Sequence, residues 1–224
     1  MKKLLKSIFV LFVFVSAQAN AFDFRIGPKV GIGIGAPTGI SGTDAKVAVG
    51  FPIGVLSQFD FGAVGIDLGL NYRYSIFGFS FKEDNDGDTV KDTNTTAIGY
   101  SSVEIPVTVY YKLRREHGFF KFGGGLGLDM GFGKVKYAYE EDNSTNPDVD
   151  TSSSVSFSDA GLKQLDVYLI AHFGYEFLFE KWALSVDFQP KYGLVDKFKS
   201  GTNENPDGDK WHTLWFDLSV AFLF

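Results

Sequence analysis

The chain has 224 residues, no cysteine and a formal net charge of -6, with 26 glycines and 24 phenylalanines. Without cysteine it cannot form disulfides, and the acidic balance argues against a nucleic-acid partner. Its mean hydropathy is +0.01, and no apolar run after residue 21 is long enough to cross a bilayer as a helix, which excludes a helical membrane protein.

Residues 1–21 have the pattern of a secretory signal peptide. Three lysines precede an apolar run, and small residues end the segment, as in signals that are removed on export. Overlapping A-x-A patterns predict cleavage after Ala19 or Ala21. Removal would leave 18 basic and 27 acidic residues, so the formal charge of the mature chain would be -9. We expect residues 22–224 to fold as one exported domain.

Eight segments of this domain alternate apolar residues with polar or small ones, which is the period of a β-strand. In chain order they are 24–34, 47–55, 64–74, 103–113, 120–133, 165–179, 182–189 and 211–224. Charges and glycines share the polar face. The pattern predicts an all-β protein, a transmembrane antiparallel up-and-down β-barrel of about eight strands.

The connections between these segments alternate in length. Short ones occur near 60–63, 115–118 and 179–181, and longer polar ones near 36–44, 82–96, 140–160 and 200–210. Short periplasmic turns and long external loops are typical of outer-membrane barrels, and an even number of strands places both termini on the periplasmic side. We therefore expect four long loops to face outward.

A soluble lipocalin-type barrel is the competing fold, because it would turn the same apolar face inward around a ligand. Lipid on the outside is favoured by the glycines of the charged face, which suit a narrow interior. It is also favoured by tyrosines and tryptophans near strand ends, as at a membrane interface. On this interpretation Trp182 and Trp211 set the depth of the barrel in the membrane.

The last segment carries apolar residues at alternate positions up to the final phenylalanine. These are Phe216, Leu218, Val220, Phe222 and Phe224. The segment resembles the C-terminal signal that outer-membrane assembly machinery recognises in bacterial barrels. The resemblance implies that this machinery and outer-membrane lipid are partners of the chain.

Residues 102–113, which contain Glu104-Ile105-Pro106, lead through a short turn to the aromatic, glycine-rich segment 118–125. This arrangement resembles the outer membrane protein β-barrel family common in Bacteroidetes-like bacteria, whose members are small eight-stranded barrels of the OmpA and OmpX type. The likeness covers essentially the whole mature chain. It implies a location in the bacterial outer membrane, and most members of the family have no assigned activity.

The polar face predicts a network of charges in the barrel interior, because isolated charges there would be costly and should pair. The inward-facing set is Arg25, Lys29, Asp67, Arg73, Glu104, Lys112, Arg114, Asp129, Asp166, His172, Glu176, Asp187, Lys191 and Asp217. Paired, these residues would form a polar plug; lining a pathway, they would make a porin-like channel for small solutes. Eight strands enclose little space beyond their own side chains, which favours the plug.

Catalysis would require a nucleophile and a base on one rim, as in lipid A deacylases, which this chain resembles in being a small outer-membrane barrel. Of the three histidines, His117 falls in a short turn and His212 on the apolar face. His172 faces inward, on the same face as Glu176, and no serine lies two residues after it. A structural role for the inward histidine is favoured. We expect neither an enzyme nor a cofactor.

Asp84, Asp86 and Asp88, with Asp92, cluster around Gly87 as carboxylates do in calcium loops. With this glycine at the sixth position of an EF-hand loop, however, the first and last positions are not acidic, where the motif requires acids. A solvated acidic loop is favoured over a calcium site. The sequence as a whole predicts a barrel whose external loops act in envelope structure or bind an unknown surface ligand; a diffusion channel and a lipid-modifying enzyme are the alternatives.

Overall fold

The computed structural model describes residues 22–39, 44–45, 47–83, 92–142, 149–198 and 210–224. The strands are β1 Phe22–Thr38, β2 Asp44–Ala45, β3 Ala48–Phe61, β4 Val64–Glu83, β5 Asp92–Arg115, β6 Gly118–Asp142, β7 Val149–Ser156, β8 Leu165–Leu178, β9 Ala183–Gly193 and β10 His212–Leu223. Among these residues, no helix has the length and apolarity needed to cross a membrane.

Eight of the ten strands pair in a closed antiparallel ring, in the order β1, β3, β4, β5, β6, β8, β9, β10 and back to β1. The closing pair runs from Lys29↔Ala221 to Thr38↔His212. The short β2 and β7 attach to β4 and β6. Closure removes the free edges of the ring, and the prediction of an all-β up-and-down barrel of about eight strands is confirmed.

The two faces of the wall have opposite chemistry. Outward-facing Leu126 and Ile34 are each 54 % exposed, whereas inward-facing Asp217 is 2 % exposed. A lipocalin-type barrel would show the reverse, because its apolar side chains surround the ligand. An apolar outer wall around a polar interior is the arrangement of a barrel that spans lipid.

One end of the barrel carries the short turns. Residues 62–63 join β3 to β4, with Gly62 at a φ of 76°, and residues 116–117 join β5 to β6. Residues 179–182 join β8 to β9, and the backbone of Phe224 pairs with that of Ile26 at the same end. By the usual orientation of such barrels this is the periplasmic end.

At the other end, the predicted long connections near 82–96 and 140–160 are wrong in part, because strands extend into both of them. β4 and β5 stay paired as far as Glu83↔Asp92, and the end of β6 pairs with β7. Backbone pairing continues although the apolar alternation fades, since hydrogen bonding between strands does not require an apolar side chain. We call residues 78–83, 92–98, 134–142 and 149–156 the protruding sheet.

Candidate functional site: the filled barrel interior

The structure places the inward-facing set inside the barrel, with one exception. Arg114 is exposed, because it lies on the short-turn rim opposite Phe119, where the lumen opens to solvent. Arg25 is half-buried, and the other members of the set are buried. The side chain of Lys29 has no ion pair or hydrogen bond within the described residues, contrary to the predicted pairing, whereas the other buried members form groups at successive levels along the barrel axis.

The group nearest the short turns centres on Arg25. Its Nη2 donates to Asp60 Oδ2 at 2.9 Å, and its Nη1 donates to Glu176. Lys112 Nζ lies 2.8 Å from Asp60 Oδ1, and Gln58 Nε2 donates to Glu176 Oε2 at 2.7 Å. Each carboxylate therefore has at least two donors, which is what a buried carboxylate requires.

The central group surrounds Lys121, which is 0 % exposed. Its ammonium lies 2.9 Å from Asp187, 3.3 Å from Asp67 and 3.7 Å from Glu176, and it donates to Ser185 Oγ at 2.6 Å. One cation thus faces three carboxylates. Removing it would leave buried negative charge without compensation, the costly way to disrupt such a site.

His172 joins this group through Asp187, although the sequence pattern had grouped it with Glu176. His172 Nε2 lies 2.9 Å from Asp187 Oδ1, and its Nδ1 lies 3.0 Å from Thr108 Oγ1. Hydroxyl, imidazole and carboxylate are connected as in a catalytic triad. Both Thr108 and His172 are at most 1 % exposed, so a substrate has no approach to the hydroxyl and the arrangement acts as a hydrogen-bonded support.

The same residues include a group with metal-ligand chemistry. One ligand atom each from Asp67, His172 and Asp187 lies within 4.8 Å of the others. The Lys121 ammonium already contacts both carboxylates. It supplies the positive charge that a metal ion would otherwise bring, and a metal would have to displace it.

A third group lies nearer the long connections. Arg73 donates to both oxygens of Asp217, at 2.7 and 3.0 Å, and Lys191 Nζ lies 2.7 Å from the same carboxylate. Glu104 accepts hydrogen bonds from Lys191 and from the Tyr168 hydroxyl. Two-point binding of a carboxylate by a guanidinium fixes its geometry as well as its charge.

Lys197 forms the outermost ionic group. Its Nζ lies 3.3 Å from Asp166 and 3.7 Å from Asp129, and 5.7 Å from the centre of the Tyr100 ring. Burial lowers the pKa of the Lys197 ammonium, but its interactions with Tyr100, Asp129 and Asp166 outweigh burial and hold this pKa above its ordinary value. The lysine lies after β9, outside the strands.

A layer of apolar side chains, the aromatic cap, lies above these groups at the long-connection end. It comprises Ala48, Phe77, Phe79, Tyr100, Val135, Phe157, Ala160, Leu162, Trp211 and Trp215. The rings pack edge to face, with Trp211 5.1 Å from Phe77 and 5.4 Å from Phe79, the arrangement aromatic pairs prefer. Arg73 stacks 4.1 Å from the centre of Trp215 and joins the cap to the ionic group below.

The prediction that Trp211 sets the depth of the barrel in the membrane is wrong. Trp211 is 1 % exposed and packs inside the cap, because it directly precedes β10 and continues the inward parity of Asp217. Trp182 lies at the short-turn end and stacks on Phe179 and Phe222 at 3.7 and 4.4 Å. A half-buried aromatic on the outer wall fits the interfacial role predicted for Trp182.

Inward glycines make room for large side chains that cross the lumen. A β-carbon at Gly65 or Gly127 would overlap the ring of Tyr110 or Tyr168. One at Gly33 would overlap Asp217. Large inward side chains thus lie over glycines, and together they fill the interior, as expected for a narrow barrel.

The described lumen retains a cavity of about 10 Å³, lined by Arg73, Glu104, Asp129, Asp166 and Lys197 among others. This space suits about one water molecule. Within the described residues, Asp129 Oδ1 and Ser102 Oγ lack hydrogen-bond partners.

Sequence reasoning missed three central residues. Lys121 could have been found, because it alternates with Phe120 and Phe122 on the polar face of β6. Asp60 was assigned to a turn but lies in β3, which ends at Phe61. Lys197 has no periodic neighbour, and no signal in the sequence points to it.

Two predicted features are not described. Residues 1–21 lie outside the described residues, as do Asp84, Asp86 and Asp88 of the calcium candidate; Asp92 begins β5. The outward positions of Phe216, Leu218, Val220 and Phe222 on β10, and of Phe224 directly after it, agree with the alternation. Their role as an assembly signal stays a prediction.

The sequence matches the family described as "Outer membrane protein beta-barrel domain" over residues 16–199. The chain belongs to this family. It is therefore an outer-membrane β-barrel protein, located in the bacterial outer membrane. The resemblance drawn from residues 102–125 is confirmed, whereas no curated protein matches the chain.

Several solved barrels are similar to this outer-membrane barrel. Ail, the attachment invasion locus protein of Yersinia pestis, is 12 % identical, with a TM-score of 0.41, over 90 % of this chain and 99 % of that one. Neisserial surface protein A is 11 % identical, with a TM-score of 0.42 and coverages of 90 % and 98 %. The outer membrane protease OmpT of Escherichia coli is 11 % identical, with a TM-score of 0.39 and coverages of 91 % and 95 %.

Proposed function

We propose that this protein is a non-conducting, non-enzymatic outer-membrane barrel that holds the protruding sheet at the cell surface for structural or binding contacts. The observation that carries the proposal is the filled interior, in which stacked ionic groups lie beneath the aromatic cap. A barrel filled in this way is a rigid support. The end of the barrel that projects from the membrane then makes the contacts with partners.

Ion passage would require the fixed pairs to separate. Arg73 on β4 pairs with Asp217 on β10, three strands away round the ring. Lys121 on β6 joins Asp67 on β4 to Asp187 on β9, which lie on opposite sides of the lumen. Separating such pairs leaves buried charges unpaired, which costs several kcal/mol each. The aromatic cap adds an apolar layer that a hydrated ion would also have to cross.

The protruding sheet offers a surface for contact. Within the described part of the chain, β7 pairs with β6 on one side only. The side chains of Ser152, Ser153 and Ser154 are exposed on it. An exposed strand edge can bind an extended peptide by adding a strand, with hydrogen bonds from the backbone.

Conductance across a planar bilayer tests the plug. The mature chain would be refolded in detergent, and a heat-dependent gel shift would verify closure of the barrel before insertion. We expect a folded, electrically silent barrel. Steady, reproducible current steps would overturn the proposal and favour the diffusion channel.

Adherence of cells that express the protein tests the surface role. Ser153→Pro would interrupt the backbone of the β7 edge, and Ser153→Thr is the matched control that keeps it. We expect cells that express the proline variant, but not those that express the threonine variant, to settle more slowly from suspension or to adhere less to plates coated with whole serum protein. Equal behaviour of cells with and without the protein would contradict a binding role for the sheet.

A further inference from the structure

A groove of about 500 Å³ opens on the outer wall of the barrel, where the protruding sheet leaves the apolar band. It is lined by Tyr74, Ile76, Ala97, Gly99, Lys136, Tyr137, Ala138 and the three serines 152–154. The groove is separate from the interior groups described above. It lies at the long-connection end of the wall, which faces the outer leaflet in barrels of this type.

Strand register explains the shape of the groove. Ile76, Gly99 and Lys136 are successive partners across β4, β5 and β6, so a glycine separates an apolar side chain from a lysine. On the next level outward the partners are Gly78, Ala97 and Ala138, all small. An irregularity in pairing between Gly99 and Ser101 bends the wall at this point, as bulges do. Small residues thus form the floor and longer side chains form the sides.

Hydrogen-bond donors converge on this floor. A β-carbon at Gly99 would lie 2.8 Å from the Tyr74 hydroxyl, so this hydroxyl lies over the glycine, whose partner on β6 is Lys136. Ser154 is the β7 partner of Lys136 and adds a hydroxyl. Within the described residues, neither the Tyr74 hydroxyl nor the Lys136 ammonium has a hydrogen bond or ion pair. An ammonium and two hydroxyls close together suit the oxygens of a phosphate.

Apolar side chains lie directly below the donors. Tyr72 and Phe132 are 44 % and 43 % exposed, with ring centres 6.0 Å apart. Lys134 adds a second exposed cation on the same face as Lys136. These cations stand out on a chain of net charge -6. A ligand with an anionic head and apolar chains matches both halves of the surface.

We propose that this groove binds the phosphate-bearing headgroup of an outer-leaflet lipid. Lys136 pairs with the phosphate, the hydroxyls of Tyr74 and Ser154 donate to it, and the acyl chains lie along Tyr72 and Phe132. The surrounding membrane is the source of the ligand, which makes the site a specific lipid contact at the base of the protruding sheet. It is independent of whether the sheet binds a partner.

Native mass spectrometry of the refolded mature chain, with lipid A added to the micelle, tests the proposal. The comparison ligand is lipid A from which both phosphates have been removed. We expect retention of the phosphorylated form and a loss of about five-fold in apparent affinity for Lys136→Ala, the effect of one basic residue near an anionic lipid surface. Lys136→Arg should restore retention. The matched control is Lys181→Ala, which removes an exposed lysine from the short-turn end.

Equal retention of the two lipid forms would overturn the proposal, since the apolar wall alone would then account for binding. Equal losses for Lys136→Ala and Lys181→Ala would also overturn it, because they would indicate general charge attraction. Displacement of the lipid by millimolar inorganic phosphate would also overturn it, because the groove would then bind phosphate without the lipid. Should Lys136→Ala fail the gel-shift test of folding, Ser154→Ala with Tyr74→Phe removes the hydroxyls instead and should weaken retention of the phosphorylated form alone.

Discussion

Two levels of the same lumen are filled by opposite chemistry. Towards the short turns, carboxylates, ammonium groups and a guanidinium are held by side chains of the ring strands themselves. Towards the long connections, the aromatic cap adds Phe157 and Leu162, which follow β7, and Trp211, which precedes β10. Ion pairs fix the relative positions of the strands that they join, but removing one partner leaves a buried charge unpaired and costs much stability. Apolar packing excludes water, and the stability it contributes falls in proportion to the side-chain volume that is removed.

The largest difference between the two levels should come from Lys121→Met. The substitution keeps the length of the side chain and leaves Asp67, Asp187 and Glu176 without their shared cation. We expect the free energy of unfolding to fall by about 4 kcal/mol, the cost of breaking a buried ion pair. Urea unfolding in lipid vesicles, followed by the gel shift, measures it. Lys181→Met, on an exposed turn, is the control. Equal free energies of unfolding for the two variants would show that the central group does not stabilise the barrel.

Trp211→Ala probes the aromatic cap in the same assay. We expect a loss of about 3 kcal/mol, typical of a large aromatic removed from a packed site. No hydrogen bond is lost, because the Trp211 Nε1 has no partner within the described residues. Trp211→Phe should cost less than half as much, since most of the ring contacts remain. A negligible effect of the alanine variant would mean that the cap does not hold the upper barrel together.

Gly127→Ala tests how tightly the lumen is packed around Tyr168, between the central ionic group and the aromatic cap. The added methyl would overlap the Tyr168 ring, and we expect a loss of about 1–2 kcal/mol from overpacking. In a Tyr168→Leu background the same methyl has room, so its cost should shrink. Additive losses in the double variant would be evidence against direct crowding.

The smallest effect concerns fluorescence rather than stability. In single-tryptophan variants, brominated lipid should quench Trp182, which lies on the outer wall, and leave Trp211 nearly unchanged inside the cap. The reverse pattern would restore Trp211 as an interfacial anchor and contradict the interior packing described above.

The sequence by itself was enough for the barrel, its inward and outward faces and most of the lumen charges. A β-strand exposes alternate residues to opposite sides, so Asp217 and Phe216 are assigned to interior and lipid by parity alone. Parity also predicts an inward Lys121, because it lies between Phe120 and Phe122, although the predicted inward set does not include it.

Only the tertiary structure decided which charges meet and where the strands end. His172 pairs with Asp187 and Thr108 because ring closure brings β5, β8 and β9 round one axis, and parity within a strand carries no information about partners across the lumen. The aromatic cap depends on the same closure, because it joins Phe77 on β4 to Trp215 on β10. Lys197 reaches the interior from a segment without strand period, so its position follows from where the chain re-enters the barrel after β9.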